Sequence, residues 1–187
     1  MIKGGKGGGN TQTGIYFEGK VDLVTYLHNN VSGYSCKENP KLKGKSMGFS
    51  IYFNDVLVAQ SYKKYELYRF LETQGVDWKQ TLSKRLLPDD AIYVVRENTI
   101  HIIEIKYQEV AGSVDEKLQT CDFKLRQYKK LFALLNYEVT FSYVLSRWFK
   151  DHKYKDTLDY IIDKGCKYYF EYLPLHKLGL PVPASDH

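Results

Sequence analysis

Three charged residues near the middle of the chain have the types and spacing of a site for acid–base or metal chemistry. Asp89 follows a proline, and Glu104 and Lys106 lie two residues apart in an apolar segment. Side chains alternate between the two faces of a β-strand, so Glu104 and Lys106 share one face while Ile103 and Ile105 point into the core. If an aspartate of the preceding strand lies opposite them, two carboxylates and one ammonium converge. Carboxylates that are forced together repel unless they share a divalent cation, which suggests a metal site.

Mg²⁺ is the metal that such a site favours. It prefers hard oxygen ligands and completes its octahedron with water and with phosphate oxygens of a substrate. A bound Mg²⁺ would lower the pKa of a water and neutralise charge on a phosphodiester, and Lys106 could orient that water or stabilise the transition state. The alternative is an ordinary surface hairpin on which Glu104 and Lys106 are solvated.

The elements around these residues are predicted from apolar spacing and turn composition. Segments 87–93 and 102–106 alternate apolar with charged residues, and the turn residues at 96–99 join them as an antiparallel hairpin. Upstream, the pattern predicts a helix over 14–29 and a hairpin over 48–59 that either extends the sheet or projects from it.

The remaining elements are predicted to be mostly helical. Residues 61–86 read as two helices, with Asp77 as N-cap of the second. A helix to about Leu135, a strand over 138–146, a further helix, a last strand and an extended tail from His176 follow. This order predicts an α/β fold with a mixed central sheet flanked by helices.

Pro88-Asp89, followed by a strand and then by Glu104-Ile105-Lys106, resembles the motif of the PD-(D/E)XK nuclease superfamily. Segments 10–18 and 112–120 resemble those of type II restriction endonucleases. The resemblance covers about residues 10–135. It implies a restriction-endonuclease-like fold and Mg²⁺-dependent, sequence-specific hydrolysis of phosphodiester bonds in double-stranded DNA.

The resemblance also implies roles for individual residues. Asp89 and Glu104 would hold the metal, Lys106 would position or activate the attacking water, and Glu18 on the first helix would assist. Asp90 stays an alternative to Asp89, because adjacent strand residues point to opposite faces and only one can meet Glu104. We favour Asp89, which follows the proline as the motif of the superfamily has it.

Candidate DNA contacts lie in several segments of the chain. The glycine- and lysine-rich arm 1–9 could approach phosphate, unless it is simply disordered. Gln108 shares the face of Lys106, and a capping-box helix start at Ser113 could present amides to a phosphate, although its polar residues could also be merely solvated. The candidates are Lys3, Lys6, Asn10, Thr13, Gln108, Ser113, Lys117, Gln119, Thr120 and Lys124. The cationic loop 41–45 could contact phosphate, but solvation is the simpler interpretation.

Composition limits the class of protein. A chain of 187 residues with 43% hydrophobic residues predicts one domain, 10–187, after a flexible arm over 1–9. Three cysteines without metal-ligand spacing fit a reduced, cytoplasmic compartment. No apolar run is long enough to span a membrane, and the first ten residues do not have the pattern of a signal peptide. The net charge of +5 favours a polyanionic partner.

Assembly and alternative functions follow from the same resemblance. Cutting both strands of a duplex requires two sites, so a homodimer on a palindromic target is expected. One alternative is a repair or recombination nuclease of the same fold. The other is a non-catalytic DNA-binding protein, against which the intact Asp89, Glu104 and Lys106 count.

Overall fold

A seven-stranded mixed sheet forms the centre of the molecule. The computed structural model describes residues 14–16, 23–108 and 114–183. The nine strands of this part are β1 Gly14–Tyr16, β2 Tyr34–Glu38, β3 Phe49–Phe53, β4 Val56–Tyr62, β5 Asp90–Val94, β6 Thr99–Lys106, β7 Glu138–Leu145, β8 Lys167–Phe170 and β9 Tyr172–Pro174. Strands β2 to β8 lie side by side in chain order, while β1 and β9 pair with each other. Neighbours from β2 to β6 are antiparallel, and β7 is parallel to both β6 and β8.

Helices cover both faces of this sheet. In the described residues they are α1 Leu23–Asn30, α2 Tyr65–Thr73, α3 Val114–Leu118, α4 Cys121–Phe132 and α5 Lys155–Asp163. One apolar core lies between the sheet and α2, α4 and α5, and the other lies between the sheet, α1 and the segment 173–180. The α/β class with a mixed sheet flanked by helices, expected from the order of elements, is confirmed.

The strand register brings several loops to one end of the sheet. Lys106, the last residue of β6, pairs with Leu145, which in turn pairs with Phe170 at the end of β8. Because β5 is antiparallel to β6, Asp90 at its beginning lies near the same end, opposite Ile103. Strands β2 and β4 also end here, and β3 begins here. We call this the Lys106 end of the sheet.

Two upstream predictions are wrong in their boundaries. Of the helix expected over 14–29, the described residues from Leu23 onward are helical as α1, but residues 14–16 form β1 because they pair with β9, far away in the chain. The second helix expected in 61–86 is a single 3₁₀ turn, Trp78–Gln80. Asp77 does cap that turn by accepting a hydrogen bond from the backbone N–H of Lys79.

Two downstream predictions also change. The helix expected to run to about Leu135 is divided into α3 and α4 by a turn at 119–120. The tail expected to be extended from His176 instead contains a 3₁₀ turn, Leu175–Leu178, and it is anchored because Leu178 and Leu180 are buried. Within the described part of the chain, no helix has the length and apolar character needed to cross a bilayer.

Candidate active site

Glu104 and Lys106 lie together at the end of β6, beneath α4. They share the face of β6 that carries the buried Ile100 and Ile102. Glu104 is 6% exposed, and its Oε2 lies 2.9 Å from Nζ of Lys106. The pair is therefore largely shielded from solvent screening, unlike a charged pair on a free surface hairpin.

Asp89 approaches the same ammonium from the segment before β5. Its Oδ2 accepts a hydrogen bond from the backbone N–H of Ile105 at 2.8 Å and lies 3.8 Å from Nζ of Lys106. The preceding carbonyl, that of Pro88, accepts a hydrogen bond from the backbone N–H of Lys64 at 3.1 Å, which fixes the start of the segment. Lys106 thus contacts both predicted carboxylates.

Asp90 lies on the other face of the sheet. It is opposite Ile103 in the β5–β6 register, and it is only 4% exposed. Its Oδ1 accepts hydrogen bonds from Oγ of Ser61 at 2.8 Å and from the backbone N–H of Ala91 at 2.9 Å. The hydrogen bond from Ser61 ties β5 to β4, so the role of Asp90 is to hold the two strands together. Asp89 is the aspartate that contacts Lys106.

Lys124 of α4 is a member of this cluster that sequence reasoning assigned to a different task. It was expected to contact DNA, yet its Nζ lies 2.7 Å from both carboxylate oxygens of Glu104. Asp89, Glu104, Lys106 and Lys124 together carry no net charge, because two carboxylates balance two ammoniums. A cation bound to Glu104 would therefore have to take at least one oxygen from Lys124.

Two buried tyrosines, which sequence reasoning missed, form the walls around the carboxylates. The Tyr128 hydroxyl donates to the carbonyl of Leu86 at 3.2 Å, and burial raises its pKa, with the charges of Glu104 and Asp89 adding to the effect. Tyr143, beside Glu104 in the β6–β7 register, also has a raised pKa, from burial first and then from the charge of Glu104. Both phenols therefore stay neutral beside the carboxylates.

The other residues predicted to contact DNA lie in two places where the structure describes them. Gln108 lies just after β6 and is buried, so its side chain is not on an exposed surface. Its backbone N–H donates to the Ser146 hydroxyl, which in turn donates to the Gln108 carbonyl. Lys117, Gln119 and Thr120 are exposed around the turn between α3 and α4. The predicted residues Lys3, Lys6, Asn10, Thr13, Glu18 and Ser113 lie outside the described residues.

The donor set suits a hard cation. Asp89 and Glu104 offer carboxylate oxygens, and the side chain of Asp89 is 39% exposed, so a cation with its waters could reach it. No cluster of three or more acidic, histidine or cysteine side chains occurs in the described ranges, so protein ligands beyond these two are not found there. Two carboxylates, with water and substrate oxygens, match the way Mg²⁺ is usually held.

The fold and the site together define an α/β protein with a carboxylate–lysine cluster at one end of a mixed sheet. Comparison of the chain with protein-family models, with curated proteins and with solved structures finds no match.

Proposed function

We propose that this protein is a Mg²⁺-dependent nuclease of the PD-(D/E)XK type that hydrolyses phosphodiester bonds in double-stranded DNA. The observation that supports the proposal is the contact of Asp89 and Glu104 with the single ammonium of Lys106. These residues are the aspartate, the acid and the lysine of the motif. The mixed sheet, with the motif on an antiparallel hairpin next to a parallel pair, is compatible with a restriction-endonuclease-like fold.

Each residue of the cluster has a role that its chemistry allows. Asp89 and Glu104 would hold Mg²⁺, and the bound cation would supply charge neutralisation at the scissile phosphate and a more acidic water. Lys106, between the two carboxylates, orients the attacking water and stabilises the negative charge that develops on the phosphate oxygens. Lys124 neutralises the buried Glu104 through its contact with both carboxylate oxygens, and a metal on Glu104 would free this ammonium to pair with a substrate phosphate.

The charge around the Lys106 end of the sheet supports a polyanionic substrate. Four segments at this end, 39–48, 63–64, 84–88 and 146–154, contain ten basic residues and one acid, Asp151, while Glu38 and Glu171 at the same end pair with Lys41 and Arg147. The basic residues are Lys41, Lys43, Lys45, Lys63, Lys64, Lys84, Arg85, Arg147, Lys150 and Lys153. The turns at the opposite end, 54–55, 95–98 and 164–165, balance Arg96 and Lys164 against Asp55 and Glu97. A positive field at one end of the sheet would steer DNA to the carboxylates.

The more specific part of the proposal is a type II restriction endonuclease that acts as a homodimer. It is based on the likeness of segments 10–18 and 112–120 to those enzymes and on the need for two sites to cut two strands. In this arrangement Glu18 assists at the metal. The basic N-terminal arm and the residues around the turn between α3 and α4 contact the duplex.

Incubation with plasmid DNA tests the proposal. With Mg²⁺ we expect cleavage, and with a chelator we expect none, because the carboxylates then have no cation to hold. Discrete fragments indicate a site-specific enzyme, whereas smears or nicked junctions indicate a repair-type nuclease of the same fold.

Glu104→Gln should abolish cleavage. Glu138→Gln, which replaces an exposed acid at the far end of β7, should leave cleavage unchanged. Absence of cleavage on all duplex, nicked and branched substrates would refute the proposal.

Lys124 provides a test of metal binding that does not depend on activity. Lys124→Met removes one of the two ammoniums on a buried carboxylate, so without divalent cations the free energy of unfolding should fall by about 2 kcal/mol. The loss is smaller than the usual cost of breaking a buried pair because Lys106 remains 2.9 Å from Glu104. Mg²⁺ should then raise the melting temperature more in the variant than in the wild type, because the cation takes the place of the missing ammonium.

Thermal unfolding with and without Mg²⁺ measures this difference. Lys130→Met, which removes an exposed lysine from the same helix, is the matched control and should behave like the wild type. An equal response of the wild type and Lys124→Met to Mg²⁺ would contradict a cation at Glu104.

A further inference from the structure

A basic cavity lies beside the candidate active site, and its volume is about 640 Å³. This volume is in the range of sites that enclose a small organic molecule, and it is larger than a bare phosphate needs. Its walls come from a turn after β2, from α2 and from the segment before β5. The side chains that matter for its chemistry are Lys43, Lys45, Tyr65, Tyr68, Arg69 and Arg85.

The lysine-bearing wall is held in place by hydrogen bonds. Leu42 and Lys45 exchange two backbone hydrogen bonds of 3.0 Å, which closes a tight turn with positive φ at Lys43 and Gly44. Arg69 Nε donates to the carbonyl of Ser46 at 2.6 Å, which ties the chain just after the turn to α2. A wall that is already in position loses little entropy when a ligand binds.

The cavity has an excess of positive charge. Lys43, Lys45, Arg69 and Arg85 line it against one acid, Glu72. Lys43 and Lys45 are exposed and form no ion pair with a carboxylate of the described residues. An anion that enters the cavity can therefore bind these two ammoniums without displacing a carboxylate of the described residues.

Aromatic rings form the second half of the wall. The guanidinium of Arg85 lies 4.6 Å from the ring centroid of Trp78 and 5.6 Å from those of Tyr65 and Tyr68. Tyr65 is 50% exposed, so part of its ring is open to a ligand. Cations beside open aromatic surface are the combination that binds the phosphate and the base of a nucleotide together.

The cavity is connected to the carboxylates through one short segment. The Tyr68 hydroxyl donates to the carbonyl of Leu86 at 2.9 Å, and this carbonyl also accepts the Tyr128 hydroxyl from the active-site wall. Arg85 is four residues from Asp89, so their Cα atoms are at most about 14 Å apart. Along the axis of B-form DNA, this upper limit corresponds to no more than about four nucleotides of one strand.

We propose that this cavity binds a nucleotide of the substrate strand a few positions from the scissile phosphate. The phosphate lies against Lys43 and Lys45, and the sugar or base lies against Tyr65 and the Arg85 guanidinium. The inference depends on the proposed nuclease function and adds to it a fixed path for the DNA strand, from the carboxylates past Leu86 to the turn after β2.

Fluorescence anisotropy of a labelled DNA duplex, measured in Ca²⁺ over a series of salt concentrations, tests this inference. Lys43→Ala/Lys45→Ala should weaken binding about tenfold or more at low salt and should reduce the slope of log affinity against log salt by about one, because both lysines contact the same phosphate. The matched control, Arg96→Ala/Lys130→Ala, removes two exposed charges elsewhere on the molecule and should bind like the wild type. A Tyr65→Ala variant should weaken binding without changing the salt slope, because it removes ring surface and no charge.

The possible outcomes separate the two ideas. If Glu104→Gln abolishes cleavage but the lysine double variant binds DNA like its control, the cavity is not on the strand path and the nuclease proposal stands. If the wild type neither binds nor cleaves DNA, both proposals fail. Competition with inorganic phosphate and with a deoxynucleoside monophosphate distinguishes the sources of the ligand. Tight binding of the free nucleotide, lost in the double variant while DNA binding is kept, would assign the cavity to a free nucleotide and refute a strand site.

Discussion

Replacing Lys106 with methionine is expected to lower the rate of Mg²⁺-dependent DNA cleavage about 10²- to 10³-fold, with little change in DNA affinity. Methionine keeps the apolar stem but removes the ammonium between Asp89 and Glu104. Because a preorganised charge at the reacting phosphate acts mainly on the transition state, its loss should lower the rate constant rather than substrate binding. Single-turnover cleavage with enzyme in excess measures that rate constant directly.

Two controls make the result interpretable. Lys130→Met carries the same substitution on the exposed side of α4 and should cleave at the wild-type rate. Thermal unfolding shows whether Lys106→Met is folded at the assay temperature, which we expect because Lys124 still neutralises Glu104. A folded Lys106→Met variant that digests DNA at full speed would remove the central residue from the proposed mechanism.

The convergence of Asp89, Glu104 and Lys106 could be predicted because it depends on local rules. The period of two along a strand puts Glu104 and Lys106 on one face, and an antiparallel hairpin brings the start of β5 to the end of β6. The same alternation predicts that Asp89 and Asp90 point to opposite faces but not which of them meets Glu104, and the pairing of Asp90 with Ser61 shows that Asp90 is the one that points away. These rules need no knowledge of how the helices pack.

The position of Lys124 could not be predicted by the same means, because it depends on where α4 crosses β6. One signal was nevertheless available. The buried residues of α4 include Cys121, Tyr128 and Leu131, and Lys124 has the spacing of the same stripe. A lysine at an apolar stripe position needs a carboxylate partner, and Glu104 is the single acid of β6.

Pairing over long distances explains the errors at the N-terminal part of the fold. The apolar spacing predicted a helix from residue 14, but Gly14, Ile15 and Tyr16 form a strand because they pair with β9. A partner more than 150 residues away leaves no trace in a local pattern. The basic cavity escaped prediction for a related reason, since its walls come from three separate segments.

Substitution of the two adjacent aspartates should give opposite results. Asp89→Asn should lower cleavage more than about 100-fold, because even residues that only support metal ligands cost 10- to 100-fold, and a ligand should cost more. The free energy of unfolding should change by less than about 1 kcal/mol, since Asp89 is 39% exposed and asparagine can still accept the hydrogen bond of Ile105.

Asp90→Asn should instead lower the free energy of unfolding by about 1–2 kcal/mol, because two buried hydrogen bonds lose their charged acceptor. Its cleavage rate at a temperature where it is folded should stay within a factor of about three of the wild type, because Asp90 lies on the face of the sheet away from Glu104. Denaturant unfolding and single-turnover cleavage of both variants measure the two effects. A stable but inactive Asp90→Asn would mean that Asp90, and not Asp89, holds the metal.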